Sequence, residues 1–265
     1  MGVLNVTPDS FSDGGRFLAR DAALEQARRL VGEGAAIIDV GGESTRPGSA
    51  PASEAEELTR VIPVIEALRR EFPATFISID TTKPEVMRAA LAAGADIIND
   101  VRALAEPGAL AVAAHSGAGV CLMHMKGEPR TMQDAPSYDD VVGEVSAFLA
   151  ERIAAARAAG IDACRIAIDP GFGFGKRVVD NLALLERLEE LSTLGVALAV
   201  GLSRKSMLAT LTGRAVGERL AGSVALAAIA VLNGARIVRA HDVAATVDAV
   251  RVAAAVVQGA DFDAS

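Results

Sequence analysis

The chain has 265 residues, is 51% hydrophobic and carries a formal net charge of −8. That length suits one α/β barrel of about 250 residues. The acidity excludes a general attraction to nucleic acid, and 3% aromatics without Trp leave no base-stacking platform.

In chain order, β-branched apolar runs alternate with Ala/Leu/Glu/Arg-rich stretches. Val3–Val6 predicts a first strand. Ala22–Gly34 predicts a helix with Leu24, Ala27, Leu30 and Val31 on one stripe, ended by Gly34. Ala36–Val40 is the second strand, and Ser53 followed by Glu56 opens the next helix with a capping box. Phe76–Asp80 is the third strand, and Pro84 suits the first turn of the third helix. Strands over Asp96–Asn99 and Val120–Met123 precede a long helix over Tyr138–Ala159. The last strands are Arg165–Asp169, Ala197–Gly201 and Arg236–Arg239, with helices over Asn181–Leu194, Glu218–Asn233 and Val243–Gln258. Three junctions read alike: Glu33-Gly34-Ala35, Ala93-Gly94-Ala95 and Asn233-Gly234-Ala235 each lead a helix into a strand, as repeated βα units require.

No linker or low-complexity stretch divides the chain, so residues 1–265 are expected to form one domain. Eight alternating units can close into a barrel or stay an open doubly wound sheet. No G-x-G-x-x-G follows the first strand, which argues against a dinucleotide fold. Polar residues after nearly every strand favour a (β/α)8 TIM barrel, which gathers its site from many strand ends. Both cysteines, Cys121 and Cys164, are expected to be buried small hydrophobes; no disulfide framework, secretory leader or long apolar span is present, so a cytoplasmic setting fits.

The strand ends carry Asn5, Thr7 and Asp9; Asp39 and Gly41 through Arg46; Asp80 and Thr81; Asn99 and Asp100; Met123 and His124; Asp169; Ser203, Arg204 and Lys205; and Arg239 and His241. Any one of them could be a helix cap or a satisfied core polar group. Asp80, Asn99, Asp169 and Lys205 suit a flat heterocycle with an amidine-like edge, whose paired N–H groups a carboxylate accepts; a salt-bridged network among the same residues is the structural alternative. Asn5, Arg46, Arg239 and His241 add donors and positive charge for a phosphate-bearing ligand. Gly and Pro in Val6–Gly15 and Gly41–Pro51 suggest two long βα loops able to close over it. Asp169 through Lys176 looks like a phosphate loop, but three residues separate Gly171 from Gly175 and Arg177 follows the lysine, so the pattern fails. His115, His124 and His241 lack zinc-site spacing, and no Ser-His-Asp arrangement points to a hydrolase.

Leu4 through Gly15, with Asn5-Val6-Thr7-Pro8-Asp9-Ser10-Phe11-Ser12-Asp13, resembles the first signature of the dihydropteroate synthases, and Asp39 through Gly48 resembles the second. Ser78–Thr81, Ile98–Val101, Leu122–His124, Asp169–Lys176, Gly201–Ser206 and Arg239–Asp242 resemble the rest in the family's order, so the likeness runs from residue 2 to about 258. The resemblance implies a (β/α)8 barrel, a homodimer, and a Mg2+-assisted condensation of 6-hydroxymethyl-7,8-dihydropterin pyrophosphate with p-aminobenzoate that sulfonamides inhibit. By resemblance, Asp80, Asn99, Asp169, Lys205 and Met123 would hold the pterin, with Arg239 stacked on it. Arg239, His241 and Asn5 would hold the pyrophosphate, and Asn5 would ligate the metal. Asp13, Thr45 and Arg46 would close over the site, with Asp13 helping to stabilise the pterin cation. Pro47, Phe174, Lys205 and Ser206 would form the p-aminobenzoate pocket, and the intact Ser44–Gly48 resembles the drug-sensitive type. Family members usually carry several residues before the first strand, so the chain is expected to be trimmed at its N-terminus. A methyltetrahydrofolate methyltransferase barrel is the nearest rival; Thr45-Arg46-Pro47 and Ser203–Ser206 favour the synthase.

Overall fold

The computed structural model describes residues 1–7, 15–43, 52–128 and 131–259, without the side chains of 15–19. Eight parallel strands run in sequence order around one sheet: β1 (Gly2–Asn5), β2 (Ile37–Gly41), β3 (Phe76–Asp80), β4 (Ile97–Asp100), β5 (Gly119–Met123), β6 (Ile166–Asp169), β7 (Ala197–Gly201) and β8 (Ile237–Arg239). The ring closes where Gly2 bridges Ala240: the Val3 N–H donates to Ala240 O at 3.0 Å and the Ala240 N–H to Met1 O at 2.9 Å. Helices α1 (Gly15–Gly32), α2 (Glu54–Glu71), α3 (Pro84–Ala92), α4 (Ala109–Ser116), α5 (Val141–Ala158), α6 (Val178–Glu186), α7 (Glu189–Ser192), α8 (Met207–Thr212), α9 (Leu220–Leu232) and α10 (Val243–Gln258) surround it. This is the (β/α)8 TIM barrel.

The strands alternate with period two, and the alternation sorts the interior. Ile38 and Val40, Ile77 and Ile79, Ile98, Val120 and Leu122, Ile168, and Leu198 and Val200 face outward into the main core beneath the helices. Cys121, Ala167 and Ala199 form a separate, small cluster with Ala197 and Ile237. The intervening positions mix these small residues with Met123 and polar side chains such as Asp39, Asp80, Asn99, Asp169 and Arg239, most of them at the carboxyl ends of the strands.

The capping box forms as the sequence indicates: Ser53 Oγ accepts the Glu56 N–H and the Glu56 carboxylate accepts the Ser53 N–H. At Gly34 a positive φ of 96° lets the chain reverse, with Ala35 N–H donating to Leu30 O and Gly34 N–H to Val31 O; the same pair of bonds recurs at Gly94 and Gly234. Other expectations needed adjustment. The helix expected over Asn181–Leu194 is two pieces, α6 and α7, because Arg187 leaves the helical region and Asn233 Nδ2 takes the Leu185 carbonyl that would have continued the ladder. Cys121 is buried, but Cys164 is exposed, since it sits in the short 3-10 turn Ala163–Arg165 that precedes β6.

Candidate active site

A cleft of about 350 Å³ opens at the carboxyl end of the barrel, lined by Asp80, Asn99, Met123, Asp169, Lys205 and Arg239 together with Val101, Gly171, Phe172, Phe174 and Gly201. The parallel register explains the gathering: Asp80 pairs with Gly41 and Asn99, Met123 with Asp169, and Gly201 with Arg239. Each is the last inward-facing position of its strand, so neighbouring strands bring these residues to one rim.

Arg239 ties the rim together. Its Nε–H donates to Asp39 Oδ2 at 2.6 Å and its Nη2–H to Asp80 Oδ2 at 2.8 Å, while Asn99 Nδ2 donates to Asp39 Oδ2 at 3.2 Å. Burial works against the guanidinium charge, but Asp39 and Asp80 outweigh it and hold Arg239 more firmly protonated. Burial pushes Asp80 up from the usual carboxylate range, with Arg239 opposing and Asp39 adding to the rise. Burial likewise raises Asp169, against the Gly171 N–H that its Oδ1 accepts at 2.7 Å and against Lys205. Lys205 is pulled down to about 8 by burial, with Asp169 resisting, and its ammonium lies 4.2 Å from the centre of the Phe174 ring. Two acids and a weakened ammonium thus face one opening and can accept, donate or exchange protons there.

The other expected residues fall as follows. Asn5 ends β1 beside the cleft: a Cβ on Gly41 would lie 3.7 Å from Asn5 Oδ1 and 3.8 Å from Asp80 Oδ2, so the bare glycine leaves both oxygens facing across it. His241 follows β8, its Nδ1 3.1 Å from Ser203 Oγ; burial, then Arg239 and Arg204, pull the imidazole down to about 4, leaving it neutral. Ser206 opens α8 one residue past Lys205 and does not line the cleft. Asp13, Thr45, Arg46 and Pro47 lie outside the described residues. Among the described residues, no group of three or more His, Cys, Asp or Glu could cage a metal ion, and no helix is long and apolar enough to cross a membrane.

Two residues have more to do than their sequence positions suggested. Asp39 counts as one strand end among eight, yet it is fully buried beneath the cleft and holds Arg239 and Asn99. Its signal was an acid inside the apolar run Ile37-Ile38-Asp39-Val40, where burial demands a partner. Lys176 turns inward: its ammonium meets Gly171 O at 3.0 Å, Phe174 O at 3.1 Å and His124 Nδ1 at 2.9 Å. It braces the β6–α6 loop that carries Phe174.

The family described as pterin binding enzyme matches residues 1–241. Dihydropteroate synthase of Escherichia coli K12 is 54% identical over 252 residues, covering 95% of this chain and 89% of the relative. Among solved structures, the Xanthomonas albilineans dihydropteroate synthase with 4-aminobenzoic acid superposes with a TM-score of 0.91 at 55% identity, over 98% of this chain and 93% of that one. The Yersinia pestis dihydropteroate synthase in a sulfonamide drug complex gives 0.92 at 49% identity, over 98% and 94%.

Proposed function

The chain belongs to the dihydropteroate synthases of the pterin-binding enzyme family, and we propose that its rim joins 6-hydroxymethyl-7,8-dihydropterin pyrophosphate to p-aminobenzoate, releasing pyrophosphate. The observation that carries this reading is the single cleft in which Asp80, Asn99, Asp169 and Lys205 meet Arg239. The relatives crystallised with 4-aminobenzoic acid and with a sulfonamide drug support the second substrate and its inhibitors.

In this proposal the buried carboxylates of Asp80 and Asp169 accept the pterin N–H groups, and Asn99 and Lys205 complete the polar edge. The C–O bond to pyrophosphate breaks first and leaves a resonance-stabilised pterin cation, to which Asp13 contributes negative charge. Arg239 and the neutral His241 donate to the departing pyrophosphate. The aniline nitrogen of p-aminobenzoate, held against Phe174 and Lys205, with Thr45, Arg46 and Pro47 assigned to the same substrate by resemblance, then attacks the cation. Its proton leaves to solvent or to a basic group of the rim, and no covalent enzyme intermediate is needed.

Asn5 Oδ1, a hard oxygen facing Asp80 across Gly41, fits a Mg2+ carried mainly by the pyrophosphate and water rather than by a protein cage. Such an ion would supply further charge neutralisation to the leaving group.

A homodimer is part of the proposal. Leu220, Ile229 and Leu232 of α9 and Val252, Val256 and Val257 of α10 are exposed apolar residues, which a second copy would cover. The expected cytoplasmic setting belongs to it as well. The test is a pyrophosphate-release assay: release must depend on both substrates, and release with pterin pyrophosphate alone, or methyl transfer from methyltetrahydrofolate, overturns the reading.

A further inference from the structure

Beneath the cleft lies an acid for which the proposed chemistry has no use. Asp39 sits in the middle of β2, is 0% exposed and does not line the cleft. Its Oδ2 accepts from Arg239 on β8 and from Asn99 on β4, so it links three strands through the barrel interior. The guanidinium therefore spans two acids in different positions: Asp39 is sealed, whereas the side chain of Asp80 is 14% exposed and forms part of the cleft wall.

This difference decides which bond can be exchanged. Asp80 Oδ2 is occupied by Arg239 Nη2, so a ring N–H that bonds to this oxygen must share it with the guanidinium or displace it. An incoming N–H then compensates Asp80 for the lost donor. Asp39 has no access to a ligand, and stripping a buried carboxylate of its cation is strongly unfavourable. The outer bond is exchangeable and the inner one is not. Asp39 also settles the Asn99 amide. Asp39 Oδ2 accepts from Asn99 Nδ2, which fixes that face of the amide and leaves Asn99 Oδ1 for another donor.

We propose that Asp39 is a positioning residue: it holds Arg239 by Nε as a pivot while Nη2 gives up Asp80 to the pterin and turns to the pyrophosphate, and it fixes Asn99 as an acceptor. This rests on reading the cleft as the pterin site, and the contact between Arg239 and Asp80 is then the bond that the pterin takes over.

The test follows the Arg239 Nε–H by 15N NMR in arginine-labelled protein, with the signal assigned by its loss in Arg239→Lys. Spectra are taken free, with pterin pyrophosphate but no p-aminobenzoate, and with inorganic pyrophosphate alone. The Nε–H should stay protected in all three states while the Nη hydrogens shift with pterin pyrophosphate. Loss of Nε–H protection on pterin binding overturns the pivot. Failure of pterin pyrophosphate to perturb any signal of Arg239, the one arginine among the described residues lining the cleft, together with no binding heat in calorimetry, sinks the pterin reading itself, and this inference with it. In parallel, Asp39→Asn keeps the volume and removes the charge. It should lower kcat roughly 10- to 100-fold, as loss of a charge-assisted hydrogen bond does, with the KM for p-aminobenzoate unchanged. In an Arg239→Lys background the same substitution should add little. A folded Asp39→Asn enzyme with unchanged kcat, or full additivity with Arg239→Lys, refutes the proposal.

Discussion

At the scale of single residues, two expectations follow from buried charge. Asp80 offers a desolvated carboxylate to the cleft, so Asp80→Ala should weaken pterin binding at least roughly 10- to 100-fold, the loss of a hydrogen bond to a charged group. Calorimetry checks this, and unchanged affinity would refute the role. Lys176 gives a pH dependence. Burial pulls its ammonium from the usual 10.5 down to about 7, with nearby Asp169 resisting. Between those two values the unfolded chain keeps a proton that the folded one has lost. The contribution to stability is thus complete above 10.5 and declines as pH falls toward about 7. The slope should not exceed about 1.4 kcal/mol per pH unit. Lys176→Met should flatten it in urea titrations at pH 7, 8 and 9; an unaltered slope in the variant counts against this assignment. The contacts of Lys176 can be met in either state. The ammonium donates to both carbonyls and to His124 Nδ1, whereas the neutral amine donates to the carbonyls and accepts from a Nδ1–H tautomer.

At the scale of elements, the β6–α6 loop is tightly constrained by backbone at Gly171 and Gly175. Gly171 has a φ of 70°, and a Cβ there would come within 1.9 Å of His124 O, so the loop lies backbone to backbone on the segment that follows β5. Gly171→Ala combines a strained φ with a backbone collision and should cost about 3 kcal/mol or more, read by chemical denaturation. Its pterin affinity should fall too, because the Gly171 N–H caps Asp169. The eight strands and most helices were legible in the sequence within a few residues, because capping boxes, glycine ends and apolar runs are local signals. The break between α6 and α7 was not, since it depends on Asn233, far along the chain, reaching Leu185. The six-residue α8 lacked a long enough pattern to announce itself. The cleft acids could be named from strand ends, but Asp39 could not be paired, because alternation tells which way a residue points and not whom it meets across a barrel.

At the scale of the whole molecule, the exposed apolar residues of α9 and α10 bear on assembly. Ile229→Glu together with Val256→Glu should convert the proposed homodimer to a monomer in sedimentation experiments while leaving the secondary structure intact; a species of unchanged mass would show that this face is not the interface. The barrel also makes the site a property of the complete ring. Asp39 and Arg239 are separated by 200 residues, yet each is the other's buried counter-charge. During synthesis on a ribosome, seven strands can emerge with Asp39 and Asp80 already inside and without the guanidinium that bonds to both. The final strand brings in that cation in the same step that shuts the ring, so a partly made chain has no half-strength version of the site with which to capture substrate.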